Sequence, residues 1–162
     1  MDLFNVWNWI KKLKLSDRQI AMNGTESALF SILNICREGY VSPTQLIWIS
    51  SALEALYDTL KGQISRTLVD RIELFLGIPE NGKKKFKKKI REFYNLRSRF
   101  VHGELEIAHP MYKNILDEKF SDYETQLLEN CDFGLSIVIA TLQKMIKNKW
   151  TCINFKEQYF GN

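Results

Sequence analysis

The chain is poor in cysteine, proline and glycine. Its 162 residues include 3 cysteines, 3 prolines and 8 glycines, a composition that argues against a loop-rich all-β domain and against disorder. The cysteines, Cys36, Cys131 and Cys152, are odd in number and far apart, which excludes a CxxC pair, a zinc spacing and a disulfide framework. We therefore expect a reducing compartment and three thiols that serve as small core residues.

Long apolar runs are also missing. No stretch approaches the roughly 18 residues that a membrane helix needs, and the start, MDLFNVWNWIKK, lacks the basic-then-apolar order of a signal peptide. A chain of this length buries roughly 70% of the surface that its unfolded form exposes, so it needs no disulfide or metal to fold. We expect one cytoplasmic domain over residues 1–162 without membrane contact, with an N-terminal extension at 1–25, a core at about 28–148 and a tail at 150–162.

Positive charge is concentrated in one segment. The net charge is +4, but residues 83–99 carry nine cations against one acid, a net +8 that leaves −4 for the rest of the chain. Such a feature attracts polyanions over a long range, and RNA is the expected partner because phosphate neutralisation supplies most non-specific binding energy. The simpler alternative is a solvated lysine-rich helix face. The expected RNA-binding residues are Lys83, Lys84, Lys85, Lys87, Lys88, Lys89 and Arg91.

Apolar residues recur at helical spacing along most of the chain, and no alternating strand pattern of useful length is present. The predicted fold class is therefore all-α, an antiparallel bundle of four to six helices. The predicted helices cover about residues 28–36, 42–60, 65–76, 83–102 and 121–146, with a shorter one after Ser16. The predicted inward stripe of the last helix is Leu127, Leu128, Cys131, Leu135, Val138, Ile139, Leu142, Met145 and Ile146. The predicted stripe of the helix before it is Phe86, Ile90, Phe93, Phe100 and Val101.

Capping residues and glycines set the expected helix bounds. Ser42 is expected to cap the helix that follows it, with Gln45 completing a capping box. Gly62 is a stop signal for that helix, and Asn81-Gly82 predicts a turn. Gly103 suits the left-handed position just after a helix end.

An arginine interrupts the apolar pattern of the helix predicted at 83–102. Phe86, Ile90 and Phe93 predict an apolar residue near position 97, where Arg97 stands instead. A cation directed toward a packed face is costly unless it meets an anion or a polar cavity. His102 closes the same helix, where the helix dipole favours its charged form. A spacing of five places the two side chains about 140° apart on an ideal helix, so they do not share a face. They can still flank one groove, because the arginine side chain is long and His102 lies at the helix end.

The segment RSRFVHG resembles a known family signature. Arg97, four intervening residues and His102 match the R-x4–6-H pattern of the HEPN superfamily, helical domains that include many ribonucleases. With residues 42–60 as the earlier helix, the chain looks most like the Apea-like HEPN branch, and the resemblance covers about residues 28–148. It implies a homodimer of helical bundles in which two Arg/His pairs face each other across a two-fold axis and form one cleft.

The resemblance also implies an activity. The implied activity is that of a metal-independent endoribonuclease without cofactors. The implied setting is prokaryotic defence or toxin–antitoxin function, in which an antitoxin or another partner protein is expected. His102 would be the general base or acid at the ribose 2′-hydroxyl and the leaving oxygen, and Arg97 would hold the scissile phosphate. Many active members place Asn, Asp or His directly after the arginine, whereas this chain has Ser98, which can hydrogen-bond a phosphate. The alternative is a non-catalytic HEPN module that binds RNA or nucleotide, or mediates dimerisation and partner docking.

Four further residues are candidates for supporting roles. Glu54 forms a buried ion pair with Arg97, orients the Arg/His pair from behind, or is a solvated flank of its helix; these alternatives stay open. Tyr94 and Asn95 either line the same cleft or, for Tyr94, pack in the core. Arg99 lies three residues before the histidine and is a rival partner for it.

Metal binding and membrane binding are not expected. The second histidine, His109, precedes Pro110 and should be exposed in a long connection between helices. Two histidines without a cysteine or carboxylate cluster at ligand spacing do not predict a metal site. Trp7 and Trp9 lie on a short amphipathic stretch that is expected to cover the core, since few lysines stand nearby to favour a membrane surface.

Overall fold

The computed structural model describes residues 2–59 and 64–156. Within them the chain forms six α-helices and no strand, which confirms the predicted all-α class. None of these helices combines the length and the apolar character that a bilayer crossing needs. The helices are α1 (Leu3–Leu13), α2 (Gly24–Glu38), α3 (Pro43–Leu56), α4 (Ile64–Ile72), α5 (Glu80–Val101) and α6 (Glu118–Lys147), with a π-helical turn (Glu73–Gly77) after α4.

Helices α3 and α6 run parallel through the centre of the core. Ile49 of α3 lies against Gly134 of α6, and eight residues later Tyr57 lies against Thr141. The hydroxyl oxygens of Tyr57 and Thr141 are 2.6 Å apart, and both side chains are fully buried. Burial raises the pKa of Tyr57 above its ordinary value, so the phenol stays neutral and keeps this hydrogen bond.

Helix α6 presents a heptad-like seam to its neighbours. Its buried positions follow spacings of four and three, the pattern of close helix packing. They include Leu127, Cys131, Gly134, Val138, Thr141 and Met145. Leu128 and Ile139, predicted to face inward, lie beside this seam and are 45% and 43% exposed.

Gly134 allows three helices to meet. A Cβ at this position would lie 2.6 Å from Ile49 Cγ2 of α3 and 2.9 Å from Phe93 Cε2 of α5. Such distances are shorter than carbon–carbon contact allows. Helix α5 therefore packs against both α3 and α6 because α6 has no side chain at the crossing.

The remaining helices pack around this centre. Helix α2 runs antiparallel to α3, since Gly24 at its start lies against the carbonyl of Ala55. Helix α5 runs antiparallel to α6, since Phe86 contacts Phe133 while Lys89, further along α5, pairs with the earlier Glu129.

The N-terminal tryptophan stretch forms α1. The indole Nε1 of Trp9 donates a hydrogen bond to the carbonyl of Trp150 at 2.6 Å, and Trp9 and Leu13 join the buried core. Trp7 is exposed. The expectation that this stretch covers the core is confirmed for Trp9 and wrong for Trp7.

Several predicted helix starts are wrong. Helix α5 begins at Glu80, so Asn81 and Gly82 form its first turn and not a separate turn. Helix α6 begins at Glu118, because the side chain of Asp117 accepts a hydrogen bond from the amide of Phe120 at 2.9 Å. The helix-free connection over residues 104–117 agrees with the prediction.

The predicted capping box of α3 does not form. The Ser42 hydroxyl donates to the carboxylate of Glu38 and makes no cap hydrogen bond to α3. The Gln45 amide donates to the carbonyl of Tyr40 at 2.8 Å. Both polar side chains bind the segment that joins α2 to α3.

A cap related to the capping box forms at α2, where it was not predicted. Asn23 Oδ1 accepts a hydrogen bond from the amide of Glu26 at 3.0 Å, and the Glu26 carboxylate accepts from the amide of Met22, the residue before the cap, at 2.7 Å. This arrangement starts the helix at Gly24, four residues earlier than expected. Residues 15–17 form a single 3-10 turn, so the shorter helix predicted after Ser16 is absent from the described structure.

Burial corrects three further expectations. Cys131 is buried, but Cys36 and Cys152 are exposed. Cys36 is exposed because the inward stripe of α2 includes Ile35, and the side chain of the next residue points about 100° away. Cys152 lies beyond the end of α6. Val101 is exposed and Leu96 is buried in its place. The predicted core residue Leu60, the stop at Gly62 and the tail beyond residue 156 lie outside the described residues.

We predict that Gly134→Ala destabilises the fold by about 1–3 kcal/mol, because the added methyl group overlaps two fully buried side chains that have no room to move. Urea unfolding followed by circular dichroism measures this change. Ser136→Ala, on the exposed face of the same helix, is the control and should change the unfolding free energy by less than about 0.5 kcal/mol. Equal stability of Gly134→Ala and wild type would contradict the proposed crossing.

Candidate functional site

The end of α5 displays His102 at the surface. Gly103 has φ +73°, and two hydrogen bonds close the helix around it. The amide of Gly103 donates to Phe100 O at 3.2 Å, and the amide of Glu104 donates to Arg99 O at 2.8 Å. This is a Schellman motif, as the expected left-handed role of Gly103 requires. The chain turns away immediately afterwards, which leaves the imidazole of His102 exposed.

Arg97 lies on the inner side of the same helix. Its guanidinium is half-buried, and its Nε is buried without a hydrogen-bond partner among the described residues. A buried donor left unsatisfied costs about 1–3 kcal/mol. Arg97 therefore carries a buried donor that the described part of the chain leaves without a partner.

Glu54 and Tyr94 lie next to Arg97. The Tyr94 hydroxyl donates to Glu54 Oε1 at 3.3 Å, which joins α5 to α3. Burial raises the pKa of Tyr94, the Glu54 carboxylate raises it further, and the positive charge of Arg97 opposes both. Glu54 makes no ion pair with Arg97, so in the described structure this carboxylate is occupied by the tyrosine and leaves the guanidinium available.

The remaining supporting candidates lie on different faces of α5. Asn95 is exposed and Ser98 is half-buried. The Ser98 carbonyl accepts a hydrogen bond from the amide of His102 at 3.0 Å. Arg99 points elsewhere, into a surface cavity of about 600 Å³ that Glu106 and Lys119 also line. The structure thus brings Glu54, Tyr94 and Arg97 together and separates Arg99 from them.

The cavity at Arg99 has balanced charges. Lys119 Nζ and Glu106 Oε2 are 2.8 Å apart on the surface. Their hydrogen bond and ion pair lower the pKa of Glu106, and the charge of Arg99 lowers it slightly further. Lys89 also lines this cavity, facing Glu129. With acids present beside each cation, the cavity has no strong preference for an anion.

The lysines of α5 differ in how far they are neutralised. Lys83 pairs with Glu80 at 2.5 Å, Lys87 with Glu73 at 3.5 Å, Lys88 with Glu92 at 3.6 Å and Lys89 with Glu129 at 3.5 Å. Within the described residues, Lys84, Lys85 and Arg91 make no ion pair and are exposed. The predicted basic surface is therefore real, but about half of its cations already have acidic neighbours.

One cation near this surface was missed by the sequence analysis. Arg66 of α4 lines a groove together with Lys87 and Arg91. Arg66 stands 21 residues before Lys87 in the chain, and no local pattern links the two. Only the packing of α4 on α5 places them at one groove.

Metal-ligand types do not converge in the described part of the chain. No three His, Cys, Asp or Glu side chains there stand close enough to hold an ion. His109 is exposed, as expected, and its Nδ1 accepts a hydrogen bond from the amide of Met111 at 3.1 Å.

Comparison of the chain with protein-family models, characterised proteins and solved structures returns no match.

We predict that Gly103→Ala lowers the unfolding free energy by about 1 kcal/mol, because an L side chain disfavours the left-handed backbone. No neighbouring atom within 4 Å would clash with the added Cβ, so the backbone conformation alone sets the cost. Chemical denaturation of both proteins measures it. Gly82→Ala, in the first turn of α5, is the matched control and should raise stability by about 0.5 kcal/mol. If the two variants changed stability alike, the Schellman geometry would be wrong.

Proposed function

We propose that the protein is a metal-independent endoribonuclease of the HEPN type, which cleaves RNA by attack of the ribose 2′-hydroxyl in a dimeric Arg/His cleft. The observation that carries the proposal is the buried, unpartnered Nε of Arg97 five residues before the exposed His102 on one helix. A half-buried guanidinium suits a phosphate, because its planar fork matches two phosphate oxygens.

The two side chains supply complementary parts of the reaction. An imidazole removes the proton of the 2′-hydroxyl, and the 2′-oxygen forms a bond to phosphorus as the bond to the 5′-oxygen breaks. A second imidazole protonates the leaving 5′-oxygen. The guanidinium of Arg97 stabilises the charge that develops on the non-bridging phosphate oxygens. The products are a 2′,3′-cyclic phosphate and a 5′-hydroxyl, and no metal takes part.

This chemistry requires two histidines, which a homodimer supplies. The connection that follows His102 exposes large apolar side chains, an arrangement that favours association. They are Ile107, Met111, Tyr112, Ile115 and Leu116. Their proximity in the chain to His102 supports a two-fold interface that brings the second pair to the same cleft.

The biological setting follows from the same resemblance. We infer a cytoplasmic enzyme of prokaryotic defence or toxin–antitoxin function. An antitoxin or another partner protein would hold the cleft inactive until it is needed. The exposed apolar connection over residues 104–117 is available for such a partner as well as for the second copy.

A non-catalytic RNA-binding module is the second candidate, and one observation favours it. Arg97 and His102 lie about 140° apart around the axis of α5. Arg97 borders the Glu54–Tyr94 pair, whereas His102 is on the outer surface. A module of this kind would bind RNA through its cations without cutting it.

We predict that the purified protein cuts RNA in excess EDTA and leaves DNA and 2′-O-methyl RNA intact, since these lack the free nucleophile. His102→Ala should reduce the rate at least about 100-fold, the scale of a lost general acid or base. Gel analysis of a labelled RNA pool, with mass spectrometry of the termini, measures both. His109→Ala is the control and should cut at the wild-type rate. Inhibition by EDTA would refute the mechanism, and binding without cleavage would favour the non-catalytic module.

We predict that Arg97→Ala also abolishes cleavage, at a cost of about 2.7–4 kcal/mol in transition-state stabilisation. Its melting temperature should stay within a few degrees of wild type, because the guanidinium makes no ion pair and leaves no partner stranded in the described structure. Calorimetry and the cleavage assay test the two halves separately. Arg37→Ala, an exposed arginine on α2, serves as the control. Full activity of Arg97→Ala would remove this residue from the site.

A further inference from the structure

Helices α4 and α5 enclose a groove that the Arg/His pair does not use. Its volume is about 410 Å³. The floor is apolar, since Val69 and Ile90 are buried beneath it. Its lining is Arg66, Val69, Asp70, Lys87, Ile90 and Arg91. Three cations therefore face one carboxylate around an apolar floor.

Two of these cations form no ion pair with the carboxylates of residues 2–59 and 64–156. Lys87 Nζ lies 3.5 Å from Glu73 Oε1, a carboxylate that is only 12% exposed. Arg66 and Arg91, on opposite walls, make no ion pair with any described carboxylate, Asp70 included. Two guanidinium groups that line one groove suit the paired oxygens of a phosphate.

The exposed face of α5 that carries Arg91 leads toward His102. Arg91 and His102 differ by about 20° around α5, and about 16 Å separate them along the axis. Asn95 and Ser98 lie between them on this face.

We propose that the α4–α5 groove binds backbone phosphates of single-stranded RNA through Arg66 and Arg91, and that the strand continues along α5 to His102. The identity of the polyanion rests on the proposed function. The groove holds the strand without reading its sequence, because its apolar floor offers no hydrogen-bonding groups to base edges. Lys84 extends the same face of α5 and adds to the attraction of the strand.

The test separates binding from cleavage by using 2′-O-methyl RNA, which carries the same phosphates and cannot be cut by this chemistry. Fluorescence anisotropy at a series of salt concentrations compares wild type, Arg66→Gln, Arg91→Gln and the double variant. We expect each single variant to bind about 3- to 10-fold more weakly at low salt. We also expect the slope of log K against log salt to fall by about 0.7 per cation removed.

Two further variants locate the effect. Arg37→Gln removes an equal charge from the exposed surface of α2 and should leave affinity within about 2-fold of wild type. His102→Ala should retain affinity for 2′-O-methyl RNA even though it does not cut RNA. Circular dichroism melting checks that the groove variants remain folded, as expected for exposed arginines that form no ion pair in the described part of the chain.

The outcomes distinguish the two proposals. If Arg66→Gln and Arg91→Gln bind like Arg37→Gln, the groove proposal is overturned and the nuclease proposal stands. If they lose affinity while wild type never cuts ordinary RNA, the groove proposal stands and the nuclease proposal falls. If polyglutamate displaces the RNA as effectively as unlabelled RNA does, the groove is a site for an acidic protein surface and the RNA assignment is wrong.

Discussion

The crossing at Gly134 is the contact on which the rest of the described structure depends. Because α6 carries no side chain there, Ile49 of α3 and Phe93 of α5 approach its backbone directly. Packing of this kind fixes the rotation of α5 about its own axis. Once Phe93 faces the crossing, Arg97 is placed beside α3, and Arg91 and His102 are directed outward. The position of the candidate site is thus a consequence of core packing.

The candidate site combines the fixed end of α5 with an arginine nitrogen that has no hydrogen-bond partner among the described residues. The Schellman motif at Gly103 ends α5 in a single conformation. The Tyr94–Glu54 hydrogen bond holds the helix against α3 without using Arg97. An unpartnered buried nitrogen is rare in folded proteins, since most such groups are paired. Its presence on the same helix as an exposed imidazole gives the nuclease proposal its physical basis.

The cations on and near α5 differ in how strongly they attract an anion, because some are paired with acids and others are not. Surface ion pairs such as Lys88–Glu92 are worth little individually, and they reduce the field that a polyanion meets. Guanidinium groups that form no ion pair with a described carboxylate are less neutralised, even where an acid such as Asp70 lines the same groove. The structure therefore ranks the cations of α5 by their surroundings, and it places Arg91 and the distant Arg66 ahead of the paired lysines.

The sequence by itself determined the helical class, the long connection before α6, and the sharing of one helix by Arg97 and His102. Periodicity and a glycine after the histidine encode these features within a few turns of chain. The cap of α2 by Asn23 was not predicted, although the spacing of three residues between Asn23 and Glu26 is a local signal for it. Only the tertiary structure decided which residues of α6 form the seam, why Cys36 is exposed, and that Arg66 and Arg91 line one groove. These features depend on which helix packs against which and at what rotation, a choice made by side-chain volumes at crossings such as Gly134.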